Sequence, residues 1–568
     1  MRNGFQPMFV ALAVALGLVL PTQEAAAAPP DVPRACQAGA SDEPPCNPYL
    51  APDGGTHRDG YRQQSYPYQA AADGQYRAEH AFLPGVVPIW AYESMPYPNG
   101  ERVVWASMSG TQQVVKLDQK SLRTYATTQP APASASVGTA YYELNSNNQV
   151  IRIADRAVEA FGDVDPAVPS SPIRSVARYS IPDEFFCRAE QLTGVAHTYD
   201  GHLVAGTELG EMIVLPADPM EWQTRGVLGH YSVNGERCDD LALPDGDLEQ
   251  LTNNFAVDED GGVYPATTAA QYRLDWDGST LARTWRTEYQ TSPTPSAVSL
   301  GRGTGSTPTL MGTSGRYDQF VVLTDEQPVR NLVLMWRDEI PADWTPIAPG
   351  RDPRIACEVA VDFGDGRTRT TTEQSVAVAG YSAVVVDNQL QNDQQYAGMP
   401  RYNRVAASGL AGGDPVQTSR GVARVDWDPR TRTCHTIWEN PTASFPNGIP
   451  MISRGSGLVL GNSLQVQSDG QAVFGVHALD LGTGESRWFV PGAAQECAAG
   501  LVAGLLATGT STVADDISGD MPALTGGNAC ENGFYSGMTM GSDGSIYTGT
   551  IAGISRFAPT SQNVVHQR

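Results

Sequence analysis

A chain of 568 residues, 41% of them hydrophobic, can bury a large core, and its formal net charge is −25. That charge excludes nucleic acid and anionic lipid surfaces as partners, because no basic face is left to neutralise rows of phosphates. Glycine (58) and proline (41) exceed average usage without reaching the level of a disordered chain, so a folded, turn-dense protein is expected.

At the start of the chain Arg2 precedes the apolar run MFVALAVALGLVLP, and EAAAAPP follows with small residues suited to signal peptidase. Residues 1–28 are therefore predicted to be a secretory signal, which puts the mature chain outside the cytoplasm, secreted or periplasmic, with no membrane span. The eight cysteines suit an oxidising compartment. They are Cys36, Cys46, Cys187, Cys238, Cys357, Cys434, Cys497 and Cys530, and sequential pairing is the simplest arrangement. None stands in a C-x-x-C or adjacent pair, so zinc-ribbon, c-type haem and redox-motif readings lack support.

After a Cys- and Pro-rich segment over 29–84, short apolar runs broken by Gly, Asn, Asp and Pro fill residues 85–558, ahead of a tail over 559–568. The runs repeat one theme of strand, Gly or Asp-Gly turn, and two further strands. The fullest copy is NNFAVDEDGGVYPATTAAQYRLDWDG at 253–278, extended by TLARTWRTEY. Others begin near residues 101, 138, 193, 303, 373, 448 and 537, making eight units. A four-stranded unit cannot bury both faces alone, so the units should ring an axis as an all-β, eight-bladed propeller. The last copy lacks an outer strand, which is expected to come from within 60–95.

At GVHALDLGTGESRW, residues Ala478, Asp480, Thr483, Gly484 and Trp488 resemble the tryptophan-docking repeat of quinoprotein-like propellers. Asp426 and Trp438 form a degenerate second copy. With GTGSTPTLMG, TTTEQSVAVAG and MTMGSDGSIYTGTIAGISRF, the chain resembles a group of secreted bacterial propellers of the quinoprotein (PQQ)-like class over most of 85–557. The resemblance implies the quinoprotein alcohol dehydrogenase-like fold and raises PQQ with calcium as a cofactor pair. That class stacks its quinone between a tryptophan and a disulfide of adjacent cysteines, and holds calcium through Glu and Asn. This chain has no adjacent cysteines, and Glu373 and Asn254 match the calcium ligands only by loose analogy.

GTGSTPTLMG (303–312) is not a phosphate loop, since it lacks the Lys-Ser/Thr pair and no helical pattern follows. Gly303 and Gly305 instead suit a sharp turn into a crowded axis. Thr304 and Thr307 then stand at the axial mouth with Asn253, Asn254, Glu373, Gln374, Asn447 and Tyr535. Polar groups meeting there above an apolar stack would make a small-ligand pocket. Glu373 is the candidate catalytic residue, as general base or metal ligand, with a structural clamp as the equal alternative. Asn254, Thr304, Thr307 and Gln374 are the candidate ligand-binding residues. The acidic run CDDLALPDGDLEQ (238–250) does not match an EF-hand and reads as a solvated loop. Three functions stay open: small-molecule binding with or without oxidoreductase turnover, a non-catalytic interaction scaffold, and a calcium-assisted lyase or lactonase.

Overall fold

Each of the eight units folds as a four-stranded antiparallel sheet. The computed structural model describes residues 43–83, 88–109, 111–130, 141–292, 296, 299, 302–313, 318–396, 399, 408–409, 411–446, 448–493 and 528–560. The predicted signal, Cys36, Asn447, Cys497 and most of the predicted tail lie outside these residues. Blades 1 to 7 span 92–127, 142–180, 192–232, 256–288, 309–360, 377–440 and 451–491. Blade 8 takes three strands from 538–559, and its outer strand is Tyr76–Phe82, paired antiparallel with Gly553–Pro559. The ring is thus closed by a strand from near the N-terminus, which falls inside the 60–95 window.

Burial grades outward as a propeller requires. Inner strands such as Leu192–His197, Thr309–Met311 and Met451–Ser453 are wholly buried. Outer strands such as Ile173–Ser180 and Thr433–Asn440 are largely exposed or half-buried. The core lies between blades rather than within them. Between blades 5 and 6, for example, Met311, Phe320, Leu334 and Trp336 pack on Val378, Val385, Val425 and Trp427. The docking repeat also acts between blades: Trp438 of blade 6 covers Gly484 of blade 7, and its Nε1 donates to Leu481 O at 2.8 Å. Trp488 in turn lies against Gly74, 2.7 Å from where a Cβ would stand, in the turn leading to the closing strand. Disulfides join Cys187 to Cys238 and Cys357 to Cys434, the second tying the outer strands of blades 5 and 6. Cys46 and Cys530 are disulfide-bonded too.

The hub departs from the expected apolar stack. Residues 56–66 thread it as a strap that follows the ring. Gly60 O accepts from Val257 N of blade 4, and Tyr61 O from Leu310 N of blade 5. Gln63 O accepts from Val378 N of blade 6, and Gln64 O from Ile452 N of blade 7. Ser65 and Tyr66 then pair parallel with the inner strand of blade 7. The Gln63 and Gln64 amides donate to Leu310 O and Met538 O at 2.9 and 2.5 Å. Eight inner strands leave a channel too wide for their own side chains to fill and line it with backbone groups that need partners. A polar strap satisfies both needs; an apolar plug would fill the space and leave the amides unpaired.

Candidate functional site

Arg62, on the strap, is fully buried and lies at the centre of the hub. Its guanidinium donates to Phe255 O (2.9 Å), Thr56 O (3.0 Å) and Val195 O (3.2 Å). It also donates to Glu143 Oε1 at 2.8 Å. Glu143 Oε2 accepts from His197 N at 2.8 Å and lies 2.8 Å from His197 Nδ1. Burial alone would raise the Glu143 carboxyl, but Arg62 and His197 outweigh it and hold it below the usual carboxylate range. The hub therefore carries a buried ion pair from the strap to blades 2 and 3, the polar layer that forms its floor.

Above this floor the entrances to the inner strands converge. Thr307 Oγ1 donates to Asn253 Oδ1 at 2.7 Å, and Asn253 Nδ2 donates to Gly305 O at 2.7 Å. Tyr141, at the entrance to blade 2, donates to the same Asn253 oxygen. Thr307 N donates to Ser375 Oγ at 3.0 Å, joining blades 5 and 6. Thr304 N donates to the Tyr289 hydroxyl at 3.0 Å, and its Oγ1 lies 2.9 Å from Ser306 Oγ. Tyr535, from blade 8, lies 3.1 Å from Ser408 Oγ, and burial with the nearby Glu373 charge pushes its hydroxyl up to about 12.

Glu373 accepts from Ser299 Oγ at 2.7 Å, and its Oε1 is 3.9 Å from Arg330 Nη2. Arg330 Nη1 is also 3.9 Å from Glu326 Oε1, so one guanidinium stands between two carboxylates. Gly303 and Gly305 are glycines for a reason visible here. Gly303 adopts φ +79° and its N donates to Glu326 Oε2 at 2.6 Å. A Cβ on Gly305 would fall inside the Glu373 carboxylate. Gly305→Ala should therefore displace Glu373 and cost about 1–3 kcal/mol, read by chemical denaturation against the wild type.

The five candidates part ways in this setting. Thr304, Thr307 and Glu373 take part in the contacts just described, and Gln374 follows Glu373 in the chain. Gln374 is 3% exposed and its Nε2 has no hydrogen-bond partner among the described residues. Asn254 points to the floor instead. Its Nδ2 donates to Thr56 Oγ1 and Val195 O, and its Oδ1 accepts from Val195 N and Phe255 N. Both ends of that amide are taken up by the framework. Sequence reasoning passed over Glu326, Arg330, Tyr141 and the strap. Glu326 and Arg330 flank the second and third strands of blade 5, where a turn reading absorbs them. In the acidic run, Glu249 is an exception to solvation: it accepts from Thr267, Tyr272 and Arg286.

The quinone–calcium pair does not fit these residues. The Asn254 amide oxygen is already committed to two backbone amides, and a guanidinium already faces Glu373, where it would repel a dication. The two described disulfides link residues 51 and 77 apart, one on the outer strands of blades 5 and 6.

Burial pushes Glu326 up to about 7, so the folded chain binds its proton more tightly than the unfolded chain does. The stability this gives is complete below the ordinary glutamate range and is lost as pH rises through 7. Stability measured at pH 5 should exceed that at pH 8, and Glu326→Gln should narrow the difference.

No protein-family model matches the chain. An uncharacterized protein of Archaeoglobus fulgidus is 30% identical over 573 residues, covering 98% of this chain and 99% of that one. Among solved structures, quinohemoprotein alcohol dehydrogenase ADHIIG of Pseudomonas putida HK5 is similar at 15% identity and TM-score 0.46, over 81% of this chain and 75% of that one. The Comamonas testosteroni quinohemoprotein alcohol dehydrogenase is similar at 13% and 0.44, over 79% and 74%. A streptogramin B lyase structure is similar at 10% and 0.36, over 86% and 99%. The chain is an eight-bladed β-propeller. It belongs to one family with the Archaeoglobus fulgidus protein, matched almost end to end. Among the described residues no helix is long and apolar enough to cross a membrane.

Proposed function

We propose that this propeller works outside the cytoplasm and binds a small polar organic molecule in the mouth above the strap. One observation carries the reading: polar side chains at the inner-strand entrances of blades 2, 4, 5 and 6 join in one hydrogen-bonded network over the hub that the strap fills. A dead-ended polar bowl suits a bound molecule better than a through-channel does. Glu373 and Glu326 accept hydrogen bonds from the ligand, and Gln374 Nε2 and Arg330 supply donors. The signal-like start and the cysteines in disulfides support the extracytoplasmic setting.

Native mass spectrometry with elemental analysis of the purified mature protein tests this. A non-protein mass should travel with the wild type and be lost from Thr307→Val and Glu373→Gln variants that keep the wild-type Tm. If all three proteins carry the same bound mass, or none carries any, the mouth is not a binding site.

A further inference from the structure

Blade 3 carries a second cluster of reactive side chains, separate from the mouth and independent of the reading above. Glu211 is 2% exposed, yet it faces the Cys187–Cys238 disulfide. Both sulfurs and a Glu211 oxygen lie within 4.8 Å of one another, with Cys238 Sγ 3.5 Å from Oε1. The other carboxylate oxygen is 2.6 Å from His230 Nε2, and Ser232 Oγ donates to Oε1 at 2.7 Å. A second carboxylate, Glu190, accepts from Cys187 N at 2.7 Å. A disulfide offers a carboxylate neither a proton nor positive charge. Among the described residues, no other three Cys, His, Asp or Glu side chains bring their donor atoms this close.

We propose that this cysteine pair is a redox-gated site for a zinc-class divalent cation, formed when the disulfide is reduced. A dithiol reductant supplies two electrons and two protons, the S–S bond breaks, and the reductant leaves as its own disulfide. The cation then displaces both thiol protons to solvent and forms two metal–sulfur bonds. Glu211 supplies an oxygen and a solvent water takes the fourth position, giving the four-coordinate sulfur and oxygen set that zinc accepts, with His230 holding the far carboxylate oxygen. The frame is suited to this. Glu211 and His230 sit on the paired strands Glu211–Pro216 and Gly229–Ser232, whose register sets Glu211 opposite Ser232. The cysteine Cα atoms are 5.0 Å apart, close enough for both sulfurs to reach one ion. His230 is 30% exposed, which gives the ion a path from solvent. Without a cation, reduction leaves two thiols crowded against buried carboxylates. Cation binding and reduction therefore favour each other, and the oxidised site binds none.

Alkylation of the full mature protein tests the proposal without any variant. The protein is treated with dithiothreitol, exchanged into anaerobic buffer, and labelled with iodoacetamide with and without added Zn²⁺. Zn²⁺ should slow labelling of Cys187 and Cys238 at least about tenfold while Cys357 and Cys434 react unchanged. Co²⁺ in place of Zn²⁺ should give thiolate-to-cobalt charge-transfer absorption that Glu211→Gln weakens and Cys357→Ser leaves intact. Equal labelling of all four cysteines with and without Zn²⁺ overturns the proposal. So does Co²⁺ absorption that Glu211→Gln leaves unchanged, or unfolding of the protein on reduction.

Discussion

Arg62→Ala should remove about 3–5 kcal/mol of stability, more than an ordinary surface or single core substitution. Truncation deletes a cation that Glu143 needs inside a hub where both side chains are wholly buried. It also strips donors from the carbonyls of Thr56, Val195 and Phe255. The loss should appear as a lower midpoint in urea with little change in slope. Replacing both partners (Arg62→Met with Glu143→Leu) should recover much of it, because no uncompensated charge is then left buried. If Arg62→Ala alone proves neutral, the strap does not clamp the hub.

A chain beginning at Leu83 should fail to form a stable ring. It lacks the strap and also the closing strand Tyr76–Phe82, so Gly553–Pro559 is left as an open edge seven residues long. Such an edge invites pairing with other copies, and soluble aggregates in size-exclusion chromatography are the expected result. A chain beginning at Tyr68 keeps the closing strand and loses the strap together with residues 43–55, which bond to blades 2 and 3 through Gly54 and Asn47. It should stay monomeric to the extent the full chain does, with reduced stability and a channel open from both ends. Equal behaviour of the two truncations would mean that ring closure does not depend on the closing strand.

Blade number and much of strand order were legible in the sequence because each blade writes a local signature. In NNFAVDEDGGVYPATTAAQYRLDWDG and its extension, the turn residues and the alternation of Tyr272, Leu274 and Trp276 report a pairing decided within some 35 residues. Gly303 and Gly305 were legible as close-approach glycines for the same local reason. The identity of the neighbour was not: that Gly305 makes room for the Glu373 carboxylate depends on two blades meeting. Asn253 and Asn254, adjacent in the chain, face the mouth and the floor respectively, and no composition rule separates them.

What the sequence determined by itself is the repeating unit: its turns, its apolar alternation, the missing outer strand of the last copy, and cysteines suited to an oxidising setting. Those features depend on contacts a few residues apart. Only the tertiary structure decided what fills the axis, because the hub is made from one strand of every blade. HRDGYRQQSY carries no periodicity to mark it as the strap. Its partners are backbone amides of Val257, Leu310, Val378 and Ile452, groups that every residue type presents alike. Interactions made through the main chain leave little imprint on residue choice, so the ring had to be closed before its centre could be read.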